Sequence, residues 1–316
     1  MNFSKPLKQL SLATLMASAL FSPAQAQDIT LGVTMSAFDD NFRTLLRRGV
    51  ERYAGEVGVN LQVEDAKNEL GNQMNQIQNF IASGVDAIIV NAVDSNSTLG
   101  ITNEADLAGI PLVYLNMEPI NLKRLPDNQA YVGSVETDAG QHQAEEACRQ
   151  LNGKGNVVIL MGDLVHHAAL ERTRIVHEVF KRPECAGMKV VEEQSGKWMR
   201  TEASDLVTNW LSAGIEFDAI IANNDEMALG AIQALKAVGR EMDTVIIAGI
   251  DATSDAMHSM EAGDLDITVY QDAFSQGKGA VDTALALIDG QDVDNEVWVP
   301  FKLVVPSNLS EFKSLN

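Results

Sequence analysis

From residue 28 onward, short unbroken apolar runs alternate with longer stretches whose apolar residues recur at helical spacing. The runs cover 29–35, 87–90, 112–115, 157–161, 219–222 and 245–250. They scarcely alternate between apolar and polar, the pattern of strands buried on both faces, so parallel sheet is expected. Between them the spacing predicts helices over 42–56, 73–83, 139–151, 168–180, 201–212, 227–238 and 277–288. Strands alternating with helices give an α/β fold of doubly wound parallel sheet. No stretch reads as a flexible linker or low-complexity tract.

The pattern contains a repeat. Phe80 to Asn91 reads F-I-A-S-G-V-D-A-I-I-V-N, and Trp210 to Asn223 reads W-L-S-A-G-I-E-F-D-A-I-I-A-N, with two residues inserted before the second D-A-I-I. Asp86 and Asp218 stand 132 residues apart, a domain's length rather than the short period of a solenoid, so two similar lobes are expected. Each copy ends on an asparagine, and open α/β sheets take ligands at the carboxyl ends of their strands. Two such edges facing one another form a cleft.

The first residues stand outside this pattern. Lys5 and Lys8 precede an apolar run from Leu10 to Phe21, followed by Pro23-Ala24-Gln25-Ala26. That is the layout of a secretory signal peptide cleaved after Ala26, and the run is too short for the roughly 20 residues a membrane span needs. Residues 1–26 are therefore set apart from the fold, and the periplasm is the expected location. The 316-residue chain has 23 basic and 44 acidic residues; removing Lys5 and Lys8 leaves 21 against 44, a formal charge of −23. Nucleic acids and anionic membranes call for clustered positive charge, so neither is an expected partner. A charge of this size favours a soluble monomer. The two cysteines, Cys148 and Cys185, point in an exported protein to a disulfide rather than a metal site, with two buried thiols as the competing reading.

The residues just after each expected strand are Ser36, Asp40 and Phe42; Asn91 and Asp94; and Asn116. The second half gives Gly162, Asp163 and His166; Asn223, Asn224 and Asp225; Asp251; and Gln271 with Asp272. This set is rich in neutral amides, with a few carboxylates and no obvious pairing of nucleophile and base. It suits a hydroxylated ring, whose hydroxyls both donate and accept and whose C–H faces lie against aromatic rings. Phe42 and Trp198 are the candidate walls. Each also reads as ordinary packing, Phe42 in a helix core and Trp198 on its own lobe.

Four motifs carry a resemblance to the type I periplasmic sugar-binding proteins, the ribose- and galactose-binding branch, across essentially the whole chain after residue 26. They are the segment from Gly32 to Phe42 (G-V-T-M-S-A-F-D-D-N-F), that from Gly84 to Asn91, that from Asn223 to Ala231 (N-N-D-E-M-A-L-G-A), and Gly249-Ile-Asp-Ala252. The resemblance implies two lobes joined by a three-crossover hinge, with the first lobe over 27–133 plus 272–300 and the second over 134–271 plus 301–316. It also implies closure around a small ligand and docking on the permease of an ABC transporter, with a chemoreceptor as a further candidate partner. Asp40, Phe42, Asn91, Arg172, Trp198, Asn224, Asp251 and Gln271 match family ligand-binding positions, with Ser36, Arg43, Asn116 and His166 as neighbours or rim. No catalytic residue, metal or cofactor is implied.

The departures bear on the ligand. Asn116-Met117 stands where ribose-type relatives carry Asp-Arg, and Ala168 where the galactose type carries an aspartate. The galactose type's calcium loop is not recognisable, residues 152–156 forming a short turn. The chain therefore also resembles the inositol-type members, and a neutral cyclitol such as myo-inositol is expected, with an aldose (glucose, galactose, ribose or xylose) as the alternative.

Other classes fit less well. His166-His167 beside Asp163 suggests a hydrolase, yet adjacent histidines point apart in regular structure. Ser275 to Lys278 matches S-x-x-K without its companion motifs. A sugar-responsive repressor shares such a core but needs a basic helix-turn-helix before it, where this chain has a signal peptide. Asn96-Ser-Thr98 and Asn308-Leu-Ser310 match a short, common glycosylation pattern.

Overall fold

The computed structural model describes residues 28–313 with Met1 and Leu315, so the expected signal peptide lies, apart from Met1, outside the described residues. The first lobe begins with β1 (Thr30–Met35), α1 (Asn41–Val57), β2 (Asn60–Asp65), α2 (Leu70–Ser83), β3 (Ala87–Val90), α3 (Thr98–Ala108), β4 (Leu112–Leu115) and β5 (Gln129–Gly133). The second contains α4 (Glu136–Gln150), β6 (Lys154–Met161), α5 (His167–Phe180), β7 (Gly187–Ser195), α6 (Arg200–Ser212), β8 (Ala219–Ala222), α7 (Asp225–Ala237), β9 (Ile246–Ala248), α8 (Ser254–Glu261) and β10 (Thr268–Tyr270). The chain then returns through α9 (Ala273–Ile288) and β11 (Glu296–Trp298) to the first sheet and ends through β12 (Lys302–Val304) beside β10.

Both lobes are wound alike. The first sheet runs β11-β5-β4-β3-β1-β2, every neighbouring pair parallel. The second runs β7-β6-β8-β9 in parallel, with parallel bridges joining Ala248 to Ile267 and Asp251 to Tyr270, and β12 antiparallel to β10. Counted within each lobe, both give the order 2-1-3-4-5, whose switch point, between the first and third strands, is where such sheets bind ligands. Three short segments, 134–135, 271–272 and 299–301, pass between the lobes.

The apolar runs form the central strands because both faces are covered. Leu31, Val33 and Met35 pack with residues of α1 and α9, while Ile88, Val90 and Tyr114 face α2 and α3. At Gly32 the bare backbone receives the Phe80 ring, since a Cβ there would lie 2.6 Å from it. Edge strands behave differently: β2 alternates exposed and half-buried residues and β7 mixes exposed with half-buried residues around a single buried one, so neither carries an unbroken apolar run. These two, with β5, β10, β11, β12, α3 and α8, are the elements the apolar pattern did not reveal.

The sequence repeat has a physical role. Asp86 Oδ2 accepts the Thr30 amide (2.8 Å) and Asp218 Oδ2 that of Asn156 (2.7 Å), tying the start of each lobe's first strand to its third. At the other end, the Asn91 amide donates to the Thr34 carbonyl and that of Asn223 to Leu160, both at 2.9 Å. Asn91 Oδ1 accepts the Ser36 hydroxyl (2.6 Å) and Asn223 Oδ1 the Gly162 amide (3.0 Å). Each copy therefore fastens both ends of the switch point, and the asparagine end opens on the cleft.

Cys148 and Cys185 form a disulfide that joins α4 to the short turn before β7. The turn at 151–153 leads directly into β6.

Because each aspartate accepts an amide at its strand's start, Asp86→Ala should lower stability by about 1–3 kcal/mol in urea titrations, and Asp218→Ala, which removes a solvent-exposed bond, should lower it by less. No loss in either variant would remove the clamp role.

Candidate functional site

Between the lobes lies a cavity lined by Asp40, Phe42, Arg43, Asn91, Asn116 and Met117 from the first and by Glu136, His166, Ala168, Arg172, Trp198, Asn224 and Asp251 from the second, with Gln271 from a crossover. All eight residues matched to family ligand positions line it, together with Arg43, Asn116 and His166. Ser36 does not; it stands behind Asn91 as a donor to its carboxamide. A larger cavity of about 660 Å³ adjoins it at the cleft mouth and shares Asp40, Arg43, His166 and Trp198.

Local structure aims these groups. Asp40 is the N-cap of α1, its Oδ1 accepting the Arg43 amide at 2.7 Å, and Oδ2 remains available to accept. Asn224 caps α7 in the same way through Met227 and donates to the Trp198 carbonyl at 3.2 Å. A capping side chain is held at the helix end by its own backbone, so each lobe presents one fixed polar group to the cleft. Asn91 is largely committed, donating to the Leu115 carbonyl (3.1 Å) while accepting from Ser36. Asn116 takes a left-handed backbone (φ 67°), which asparagine tolerates, and donates to Gln276, which donates in turn to Ser134 in a crossover. Phe42 lines the cavity and also packs in the first lobe's core.

In the second lobe, Arg172 is buried on α5, its Nε paired with Glu136 (2.6 Å) and its Nη1 donating to the Asn223 carbonyl (2.7 Å). Its guanidinium lies 5.7 Å from the Trp198 ring centroid. Trp198 takes φ 67° after β7 and lies flat against Gly162, where a Cβ would come within 2.1 Å of the indole. Its Nε1–H donates to His166 Nδ1 at 2.7 Å. Asp251 and Ala252 both have positive φ, 121° and 51°. Their turn is fastened by Asp225, which accepts from the Thr253 amide (2.7 Å) and the Thr268 hydroxyl (2.7 Å), while Thr268 accepts the Ala252 amide. Burial pushes the Asp251 carboxyl well above the usual carboxylate range, Asp225 adds to this, and Arg172 opposes it. Burial also raises Asp225, to about 7. Gln271 is buried in its crossover, and its Nε2 has no hydrogen-bond partner among the described residues.

Glu136 was not singled out in the sequence, yet it lines the cavity and holds Arg172. It follows β5, a strand whose sequence carries only a brief apolar run, so the apolar pattern does not mark it as a strand-end residue. Asp94, Asp163 and Glu226 lie instead around the outer cavity. The groups behind the hydrolase reading diverge: His166 faces Trp198, whereas His167 Nδ1 lies 3.8 Å from Glu118. Ser275 bonds to Asp272, and Lys278 to Asp282 and Tyr53. Among the described residues no group of three or more His, Cys, Asp or Glu side chains is arranged to hold a metal ion.

The lobes are closed on one another. Asn41 Nδ2 donates to Glu226 across the mouth (2.7 Å), the Ser95 amide to the Val165 carbonyl (3.3 Å), and the His167 amide to the Ser95 hydroxyl (3.2 Å).

Comparison with known proteins gives a consistent result. The family model described as a periplasmic binding protein domain matches residues 31–292. The chain is 54% identical to a protein of Rhizobium meliloti named "Putative rhizopine-binding protein", over 95% of this chain and 97% of the relative. It is 33% identical to a xylitol-binding protein of Mycolicibacterium smegmatis, over 84% and 74% respectively. A solved ABC transporter solute-binding protein of Bacillus halodurans with bound myo-inositol superposes with a TM-score of 0.87 at 39% identity, over 93% of this chain and all of that one.

The contact between Gly162 and Trp198 leaves no space for a methyl group. Gly162→Ala should displace the indole, shifting tryptophan fluorescence and removing the hydrogen-bonded Nε1–H resonance while far-ultraviolet circular dichroism is unchanged. An unaltered indole resonance would contradict the packing described.

Proposed function

The chain belongs to the periplasmic binding protein domain family, and from this premise we propose that it binds a neutral ring polyol, myo-inositol or a related cyclitol, between its lobes and delivers it to an ABC permease. Its relatives are solute-binding proteins, and their family works in the periplasm with a permease as partner. The observation that carries the ligand reading is the cavity itself, where Asp40, Arg172, Asp251 and Gln271 share one space with the rings of Phe42 and Trp198. Carboxylates accept from hydroxyls and the guanidinium donates to them, while the rings lie against C–H faces. Asn116, Met117 and Ala168 stand in this wall, at positions where the resemblance to ribose- and galactose-type proteins implies aldose-selecting side chains. The myo-inositol complex of the Bacillus halodurans relative supports the cyclitol choice.

The same reading takes 27–133 plus 272–300 and 134–271 plus 301–316 as the two lobes, a signal peptide cleaved after Ala26, and a monomer without catalytic activity. A chemoreceptor that reads the closed form is a further partner on this reading. Ligand acts by adding contacts that exist only when both lobes meet, and it shifts the balance toward closure by its difference in affinity for the two states.

Calorimetric titration of ligand-stripped protein with myo-inositol, glucose, galactose, ribose and xylose tests the reading. Tight myo-inositol binding is expected, and tight aldose binding without myo-inositol binding would overturn the cyclitol choice. Asp40→Ala and Asp251→Ala should each weaken binding by about a hundredfold or more while the fold is kept, since each leaves ligand hydroxyls unpaired in a buried site. Near-wild-type affinity in both would show that the site is elsewhere. Ligand recovered chemically unchanged after incubation and denaturation is expected of a binding protein.

A further inference from the structure

His166 stands where the wall of the cavity meets the opposite lobe. Its Nδ1 accepts the Trp198 indole N–H (2.7 Å), and its Nε2 lies 2.9 Å from the Val93 carbonyl of the first lobe. The two ring planes are 22° from parallel, with centroids 5.9 Å apart, and the imidazole is buried. An indole nitrogen only donates, so Nδ1 must be unprotonated, and the ring's single proton sits on Nε2, directed at the carbonyl. One neutral tautomer satisfies both neighbours. The cation would set an N–H against the indole N–H.

We propose that His166 is a positioning residue that locks the Trp198 wall to the first lobe as the cleft closes, and that it does so only as the neutral imidazole. The bond to Val93 is supported by the adjacent links between Ser95 and residues 165 and 167, so the latch is a cluster of protein–protein bonds that contributes to closure with or without ligand. Several charges face the imidazole. Arg43 of α1 disfavours its cation, whereas Asp163, after β6, and Asp94, after β3, favour it. Lys197 of the Trp198 loop and Asp40 line the cleft mouth with it. Burial, the largest influence, pushes the His166 pKa down. The sign follows: a histidine whose pKa is depressed on closure contributes fully at higher pH, and its contribution is lost as pH falls through the open-state value, ~6.5 for an exposed imidazole.

This inference rests on the closure mechanism proposed above, and its test separates the two. With myo-inositol as the probe, calorimetry at pH 7.5 and 5.5 should show wild-type affinity falling on acidification, by up to about tenfold. His166→Gln has one acceptor and one donor group on its carboxamide and does not titrate, so its change over the same interval should be smaller by the same factor, whatever its affinity at pH 7.5. Titration of Asp225 and Asp251 is common to both proteins and cancels in the comparison. Equal falls in wild type and the glutamine variant, or no fall in wild type, would overturn the latch. If myo-inositol gives no heat at either pH, the polyol reading fails, and small-angle scattering without added ligand decides the latch. A radius of gyration larger at pH 5.5 than at 7.5 in wild type, but not in His166→Gln, supports it; equal radii at both pH values in wild type overturn it.

Discussion

The buried ion pair between Arg172 and Glu136 is the constraint on which the cleft depends. Both side chains are about 95% removed from solvent, where an unpaired charge would cost several kcal/mol. Glu136 begins α4 directly after the first crossover, and Arg172 lies on α5, so the pair fixes the hinge end of one helix against its neighbour. From that anchor the guanidinium reaches the Asn223 carbonyl at the end of β8 and approaches the Trp198 ring. A strand end, a hinge crossover and an aromatic wall are thus referred to one charged group. Asp251, whose ionisation Arg172 favours against strong burial, belongs to the same electrostatic unit.

Around that anchor, the site is built from groups whose orientation is set by the backbone. Asp40 and Asn224 are helix caps, Asn91 is tied to Ser36 and Leu115, and the turn at Asp251 is held through Asp225 and Thr268. Such groups lose little freedom when they bind, so more of the interaction energy appears as affinity. The buried Gln271 Nε2 is a donor without a partner among the described residues, and a ligand hydroxyl would satisfy it in the closed state alone. Because Gln271 lies in a crossover, that contact would couple ligand to the hinge as well as to the lobes.

The central strands were legible in the sequence because burial on both faces forces unbroken apolar runs, and the repeat was legible because Asp86, Asn91, Asp218 and Asn223 perform the same fastening in each lobe. The edge strands β2 and β7 were not, since one face of each meets water and the apolar signal thins. That gap had consequences for the site. Glu136 follows β5, whose sequence has only a brief apolar run, and nothing in residue spacing distinguishes Trp198 from a loop residue packed on its own lobe. It required the family resemblance, and the contact with Gly162 explains why such a residue is held in a left-handed turn. Ser36 was placed at the cavity by its strand-end position, but its hydroxyl is spent on Asn91, a distinction that only side-chain geometry reveals.

The central claim is that both lobes grip a single polyol ring, and a crystal structure of the protein grown with myo-inositol tests it most directly. The account predicts one ring in the inner cavity, between Phe42 and Trp198, with hydroxyls within hydrogen-bonding distance of Asp40 from the first lobe and of Arg172 and Asp251 from the second. A ring held by one lobe only, or confined to the outer cavity at the cleft mouth, would contradict it.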